Sequence, residues 1–194
     1  MHAAVCTATG LPLAWRIESG NRQETLFGLD LLDAVRARGF APKAAIFDKG
    51  YDFTAIYDGC EQRDCRPIIP RRMTGKKAPP GPPTCEHGTW TFAGADFKRH
   101  AAKYRCPAGA CKPANTWVRA DRHRTLVPRE TKRWRDLYRG RAAVEREFGR
   151  LKNEFGLTPL RVRGRERVAL HADLTLLARL SLALARARAV PLAA

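Results

Sequence analysis

The decapeptide KAAIFDKGYD, residues 43–52, joins an apolar run to a polar turn. The four apolar residues 44–47 predict a strand, and the Lys-Gly pair after them predicts a turn. Asp48 ends the strand, where sheet proteins place reactive groups and where Asp also serves as a turn former. The stretch therefore predicts a sheet with Asp48 at its carboxyl edge, and it leaves the role of that carboxylate open.

The segments around this stretch predict an α/β fold. Upstream, residues 2–7 and 11–18 have the pattern of a β-hairpin, and residues 23–39 carry apolar side chains at helical spacing. Downstream, residues 51–63 are helix-like and residues 65–72 resemble another strand. The predicted order is strand, strand, helix, strand ending in Asp, helix, strand, insertion and helix.

The rest of the chain predicts an insertion followed by two helices. Residues 73–126 begin as a Pro/Gly linker and continue with scattered Cys, His and aromatic residues of weak periodicity. A long helix is predicted within residues 127–158, and a basic segment with a second, packed helix within 159–194. The second helix carries leucines at helical spacing, namely Leu170, Leu174, Leu177, Leu180 and Leu184. With a core over residues 1–72, these segments define the predicted organisation.

The charge balance favours a polyanionic partner. The 36 Lys and Arg residues exceed the 19 Asp and Glu residues, giving a net charge of +17, more than solubility requires. Nucleic acid is the leading partner, and GC-rich coding is the alternative reason for the abundant arginine. The chain has no signal-peptide pattern, and Asp173 and Arg179 interrupt its most apolar stretch. We therefore expect a soluble cytoplasmic protein without a membrane segment, associated with the nucleoid.

The segment YRGRAAVEREFGRLK, which starts at Tyr138, holds glutamates within a basic helix. Residues seven apart share a helix face, so Tyr138, Glu145 and Lys152 form one stripe. Arg141 joins that stripe four residues before Glu145, whereas Glu147 points away. Two interpretations stay open for Glu145. It forms either a solvated ion pair with Arg141, worth a few tenths of a kcal/mol, or a functional carboxylate.

Two motifs resemble those of the DDE transposases of bacterial insertion sequences, in the subgroup with a Tyr, Arg, Glu, Lys signature. That signature reads Tyr138, two residues, Arg141, three residues, Glu145, six residues and Lys152. FDKGYD resembles the segment with the second catalytic aspartate, which would be Asp48, and RPIIPRR resembles the strand after it. The resemblance implies a ribonuclease-H-like mixed sheet with flanking helices and a small insertion subdomain.

The resemblance also implies metal-dependent cleavage and strand transfer at the ends of a mobile element. Three carboxylates would hold two Mg²⁺ ions, with Asp48 and Glu145 as two of the ligands. Arg141 and Lys152 would contact DNA phosphates, and Tyr138 would lie near the DNA end. A homo-oligomer on DNA is the implied assembly.

The order of elements departs from the family at its start, because no segment matches the first strand, which carries the first catalytic aspartate. We therefore expect a truncated, inactive fragment that an upstream reading frame or separate fragment completes. Asp30 and Asp33 are expected to face solvent, and Asp52 and Asp58 to be helix N-terminal or surface groups. The alternative function is a non-catalytic DNA-binding or inhibitory accessory protein.

The insertion and the segment after the long helix hold further candidate ligands. Four residues of the insertion could bind Zn²⁺, namely Cys85, His87, Cys106 and Cys111. Their spacings are looser than paired CxxC motifs, so isolated thiols remain the alternative, and Cys60 and Cys65 could join the group. Arg161 and Arg163 are candidates for phosphate contact, with a solvated basic loop as the other interpretation.

Overall fold

The mixed α/β class is confirmed by the computed structural model, which describes residues 1–19, 27–72 and 80–189. The strands in this part of the chain are β1 His2–Val5, β2 Pro12–Arg16, β3 Ala44–Ile46, β4 Arg66–Ile68, β5 Thr84–Cys85, β6 Gly88–Thr89, β7 Thr91–Asp96, β8 Ala101–Arg105 and β9 Asn115–Arg119. The α-helices are α1 Gly28–Ala37, α2 Thr54–Glu61, α3 Lys132–Arg139, α4 Ala142–Asn153 and α5 Arg165–Ala189. The chain divides into two compact units, one of Met1–Ala41 with Gly140–Ala194 and one of Pro42–Arg139.

The first unit begins with the expected hairpin, in which β1 and β2 pair antiparallel. Helix α1 packs on it because its apolar face buries Leu31 and Val35 against Ala14 of β2. The described part of this helix begins at Gly28, so the predicted start at residues 23–26 lies outside the described residues. Asp30 and Asp33 are exposed, as expected.

A second core of the first unit lies where α5 meets α4. Leu151 of α4 and Leu176 of α5 are fully buried in it, together with Ala172 and Leu157. The indole Nε1 of Trp15 donates a hydrogen bond of 2.7 Å to Asp173. Helix α5 is therefore attached to this unit by one small apolar face and by polar contacts.

The leucine stripe predicted for α5 faces away from that core. Four of its leucines, Leu170, Leu174, Leu177 and Leu184, are exposed, whereas Ala172, Thr175, Leu176 and Arg179 are buried. Apolar residues occupy two sides of this helix, so their spacing did not decide which side packs. Among the described helices, α5 is the one that is long and apolar enough to cross a membrane, and 22% of its most apolar window is buried.

Glu147 and Arg179 form a buried ion pair between α4 and α5. The guanidinium donates through Nε to Oε1 at 2.8 Å and through Nη2 to Oε2 at 3.2 Å, and Glu147 is 1% exposed. A paired geometry of this kind compensates the cost of taking both charges out of water. The pair fixes the position of α5 along α4.

The second unit is built on a strand, helix, strand crossover. Strands β3 and β4 pair in parallel, with Ala44 opposite Arg66 and Ile46 opposite Ile68, and α2 connects them. Ile68 is buried against Val127 and against Trp134 of α3. The crossover agrees with the predicted order of elements.

The insertion contains more regular structure than its sequence indicated. A short hairpin pairs β5 with β6, and β7, β8 and β9 form an antiparallel sheet in that order. Tyr104 and Ala102 of β8 are buried. The strands are short and β7 has an irregular register near Gly94, which explains the weak alternation in the sequence. The linker residues 73–79 lie outside the described residues.

The long helix predicted within residues 127–158 is instead two helices. Helix α3 ends at Arg139 and α4 begins at Ala142, with Gly140 and Arg141 in a turn between them. Glycine has a low helix propensity, so tertiary packing can interrupt a helix there at little cost. Tyr138 is consequently on a different helix from Glu145 and Lys152, which corrects the single stripe expected from the sequence.

Asp52, expected among the helix-terminal or surface groups, is 1% exposed and lies at the centre of a polar cluster. Its carboxylate accepts hydrogen bonds from the Tyr57 hydroxyl, from the Arg72 backbone N–H and from two nitrogens of the Arg122 guanidinium. Arg129 lies 3.7 Å from the carboxylate and donates to the Tyr57 hydroxyl at 2.6 Å. The cluster ties the insertion to the crossover.

We expect Arg179→Met to lower the free energy of unfolding by about 3 kcal/mol, because Glu147 would remain buried with weaker compensation. The double variant Glu147→Met with Arg179→Met should recover to within about 1 kcal/mol of wild type, because it removes both charges. Urea denaturation followed by circular dichroism measures both. A single variant as stable as wild type would contradict a structural role for the pair.

We expect the Asp52 carboxylate to make folding sensitive to acid. Burial raises the pKa of Asp52, but hydrogen bonds from Arg122, Arg72 and Tyr57 outweigh it and hold the pKa below the ordinary value of 3.8. The folded carboxylate therefore stabilises the protein above the unfolded-state pKa, and this stabilisation is lost as pH falls through the folded-state pKa.

Asp52→Asn should lower the free energy of unfolding by about 3 kcal/mol at neutral pH. It should also lose less stability than wild type when the pH is taken below about 4. Asp58→Asn, an exposed carboxylate on α2, is the matched control and should change stability by less than about 0.5 kcal/mol. Equal acid sensitivity of the wild type and Asp52→Asn would show that this carboxylate is not the source.

Candidate functional site

Asp48 lies two residues beyond β3, after Phe47, at the carboxyl edge of the parallel pair. Its Oδ1 accepts a hydrogen bond of 2.7 Å from the backbone N–H of Gly50, and it caps a single 3₁₀ turn, Lys49–Tyr51. A Cβ added at Gly50 would lie 2.8 Å from this Oδ1. A side chain at position 50 would therefore displace this carboxylate from its place over the turn. Asp48 is half-buried, so the turn orients a carboxylate that solvent still reaches.

Glu145 lies on the exposed side of α4. Its side chain is 62% exposed, and the guanidinium of Arg141 donates a hydrogen bond to its Oε1. Lys152, two turns further along the helix, is exposed as well. The ion pair between Arg141 and Glu145 that the spacing allowed is present. Such a pair on an exposed face is weak and readily exchanged for other partners.

Tyr138 packs inside the second unit. Its ring stacks on that of Trp134, with centroids 4.9 Å apart and planes 14° apart. It adjoins the cluster of Ile68 and Val127 at the amino-terminal strand pair of that unit. The signature residue is therefore held by aromatic packing at one end of α3.

Arg161 and Arg163 lie in an irregular segment between α4 and α5. Both are exposed, and Val162 between them is partly buried. This alternation directs the two guanidinium groups outward from the same stretch of backbone. The arrangement leaves both of them accessible to an anionic partner.

The four candidate ligands of the insertion converge. The Sγ atoms of Cys85 and Cys106 are 3.8 Å apart, and Nδ1 of His87 is 4.0 Å from Sγ of Cys85 and 3.6 Å from Sγ of Cys111. All four ligand atoms lie within 4.8 Å of one another. The structure thus brings together the residues that the sequence grouped only by type.

The chemistry of the thiols differs between this cluster and the core. Burial raises the pKa of Cys106, but hydrogen bonds from the backbone and side chain of Cys111 and from the Ala108 backbone lower it to about 6. Burial, with a smaller contribution from the neighbouring Cys65, raises the pKa of Cys60 to about 12. Cys60 and Cys65 are buried and do not belong to the group of converging ligands.

A cleft lined by charged side chains in the second unit was not expected from the sequence. It has a volume of about 170 Å³, and its charged lining residues are Arg66, Arg119, Arg122, His100, Asp58, Glu61 and Asp121. Nδ1 of His100 lies 3.1 Å from a carboxylate oxygen of Glu61. These side chains come from separate elements, so no local motif could have grouped them. Arg122 is paired with Asp52, and three carboxylates share the lining, so the cleft carries charges of both signs.

Comparison with known proteins finds one family that matches most of the chain. Residues 1–181 match the family described as Transposase DDE domain. No curated protein and no solved structure gives a significant match. The family match includes the segment of Asp48, the insertion, and the helix that carries Glu145. The chain therefore belongs to the DDE transposase family.

Proposed function

We propose that the chain forms the larger part of a transposase catalytic domain, which cleaves phosphodiester bonds at element ends and transfers the strands. The observation that carries the proposal is the family match over residues 1–181. Two features support it, namely Asp48 just beyond the end of β3 and the spacing of Tyr138, Arg141, Glu145 and Lys152. DNA is the partner that transposase activity requires, which agrees with the net charge of +17.

The proposed architecture is a ribonuclease-H-like sheet completed by a further strand. In the described residues, β1 pairs only with β2, and β3 pairs only with β4. A strand preceding residue 1, on this polypeptide or on a separate fragment, would bring the first catalytic aspartate and new pairing partners. We propose that the 194 residues alone are inactive for this reason.

Asp48 and Glu145 are the proposed protein ligands for divalent metal ions. Both offer carboxylate oxygens, the ligand type that Mg²⁺ prefers, and both are reached by solvent. When bound, two Mg²⁺ ions activate the attacking oxygen and stabilise the leaving oxygen at the scissile phosphate. The Gly50 N–H fixes one oxygen of Asp48, so this carboxylate is oriented before any metal binds.

The cationic residues are proposed to bind the DNA backbone. Because the exposed pair between Arg141 and Glu145 is weak, Arg141 can exchange it for a phosphate while Glu145 ligates a cation. Lys152, Arg161 and Arg163 are exposed and add phosphate contacts. Tyr138 is proposed to lie near the DNA end. Two element ends require an assembly, so we propose a homo-oligomer on DNA, located at the nucleoid in the cytoplasm.

We expect Glu145→Gln to abolish metal-dependent cleavage while salt-sensitive DNA binding is retained. The assay uses the chain completed by its upstream strand, element-end DNA and Mg²⁺ or Mn²⁺. Loss of a partner that merely supports a metal ligand costs about 10–100-fold, so loss of the ligand should cost at least about 100-fold. Glu154→Gln, an exposed glutamate just after α4, is the matched control and should keep wild-type cleavage.

Retained cleavage in Glu145→Gln would contradict the catalytic assignment. DNA binding without cleavage in the completed wild-type protein would instead favour a DNA-binding or inhibitory accessory role. Cleavage by the 194-residue chain alone would contradict the proposed need for a further strand.

We expect Gly50→Ala to raise the concentration of Mg²⁺ that half-maximal cleavage requires, because the new Cβ would displace the Asp48 carboxylate. Gly81→Ala is the control, because a Cβ there meets nothing within 4 Å. Metal titration of the completed enzyme measures the effect. An unchanged titration curve, with the fold verified by circular dichroism, would show that the orientation of Asp48 is not used.

A further inference from the structure

We propose that Cys85, His87, Cys106 and Cys111 bind one Zn²⁺ ion as a closed structural site. This inference does not depend on transposase activity, because none of the four residues belongs to the proposed catalytic group. It concerns only the insertion of the second unit, where all four residues lie.

The distances between the ligand atoms fit tetrahedral zinc. With bonds of about 2.3 Å to sulfur and about 2.05 Å to nitrogen, tetrahedral angles separate two sulfurs by about 3.8 Å and a sulfur from a nitrogen by about 3.6 Å. The observed separations are 3.8 Å between Cys85 and Cys106, and 3.6 Å and 4.0 Å from His87 to Cys111 and Cys85. These are three of the six separations among the four ligand atoms, and all six are within 4.8 Å, so the atoms surround a space close to the size that zinc needs.

Neither a disulfide nor hydrophobic packing accounts for this arrangement. The separation of 3.8 Å between the sulfurs of Cys85 and Cys106 is far longer than the roughly 2.05 Å of a disulfide. Hydrophobic packing also fails, because His87 is exposed and Cys85 and Cys111 are only half-buried. A polar imidazole and three thiols have no common packing reason to converge near the surface.

The donor set selects zinc over the Mg²⁺ proposed for catalysis. Three sulfurs and one imidazole are soft or borderline ligands, whereas Mg²⁺ takes oxygen ligands. Four protein ligands also leave no open position for water or substrate, which is the pattern of structural zinc sites.

The four ligands come from two tight turns, and each turn contributes two of them. Cys85 ends β5, and His87 lies in the turn between β5 and β6. Cys106 and Cys111 flank the turn after β8, which Gly109 permits with φ of +67° and closes with a hydrogen bond to the Cys106 carbonyl. The two turns are separated by the whole of β7 and β8, so the ion would join distant parts of the insertion.

The proposed zinc ion would have a structural role, because it would stabilise the small hairpin of β5 and β6. Strands β5 and β6 have two residues each, and a two-stranded hairpin is marginal in water on its own. A zinc ion held by both the hairpin and the turn after β8 would attach the hairpin to the three-stranded sheet. Metal binding is thereby coupled to the folding of this subdomain.

The test measures zinc in the full chain, purified without a histidine tag. We expect about one zinc per chain by elemental analysis after gel filtration. Cobalt(II) added to the metal-free chain should give the strong visible absorption of a tetrahedral thiolate complex. Cys106→Ser and Cys111→Ser should each lose both signals, and Cys6→Ser, a half-buried thiol outside the group, should keep both.

A second measurement uses the wild-type chain, so its result does not depend on whether the variants fold. Chelation of zinc from the wild-type chain should increase hydrogen exchange of residues 84–89 and 106–111, and should leave α1 unchanged. Re-addition of zinc, but not of Mg²⁺, should restore protection. Wild-type protein without stoichiometric zinc, or chelation that leaves exchange in both segments unchanged, would overturn the proposal.

Discussion

Two buried carboxylates organise the two units of this strongly basic chain. Asp52 accepts hydrogen bonds from two nitrogens of the Arg122 guanidinium, and Glu147 accepts them from two nitrogens of Arg179. Burying a carboxylate without a paired positive charge costs several kcal/mol. Each of these two carboxylates is therefore stable in its buried position only with its arginine beside it. With 36 cationic residues against 19 acidic ones, arginines are plentiful and carboxylates are scarce. The positions of the few buried carboxylates therefore determine which distant segments of the chain are joined by ion pairs.

The same chain segments carry the carboxylates that remain accessible. Glu145 and Glu147 are two residues apart on α4, and the helical turn of about 100° per residue places them on different sides. One is buried against Arg179 and the other is exposed beside Arg141. Asp48 and Asp52 flank one 3₁₀ turn with a similar division, the first half-buried and the second fully buried. In each unit, a buried carboxylate that stabilises the fold thus lies a few residues from a more accessible carboxylate that is a candidate catalytic group.

Local patterns predicted the elements whose partners are close in sequence. The hairpin of β1 and β2, the strand before Asp48 and the crossover helix α2 all follow from apolar runs and turn residues, although β3 ends at Ile46 rather than at Asp48. Features set by distant contacts were missed. The leucines of α5 cover two faces, and only packing against Leu151 of α4 chose the side with Ala172 and Leu176. Asp52 resembled a surface residue because its partners Arg72 and Arg122 lie 20 and 70 positions away.

The insertion contacts the rest of the second unit at the end of the 3₁₀ turn that Asp48 caps. Arg122 follows the last strand of the insertion, and its guanidinium reaches Asp52, four residues after Asp48. Arg129 extends the contact through the Tyr57 hydroxyl and the Ile69 carbonyl, next to the strand that pairs with β3. A subdomain tied to both ends of this crossover cannot shift without disturbing the backbone that carries Asp48. The insertion therefore supports the backbone that carries Asp48.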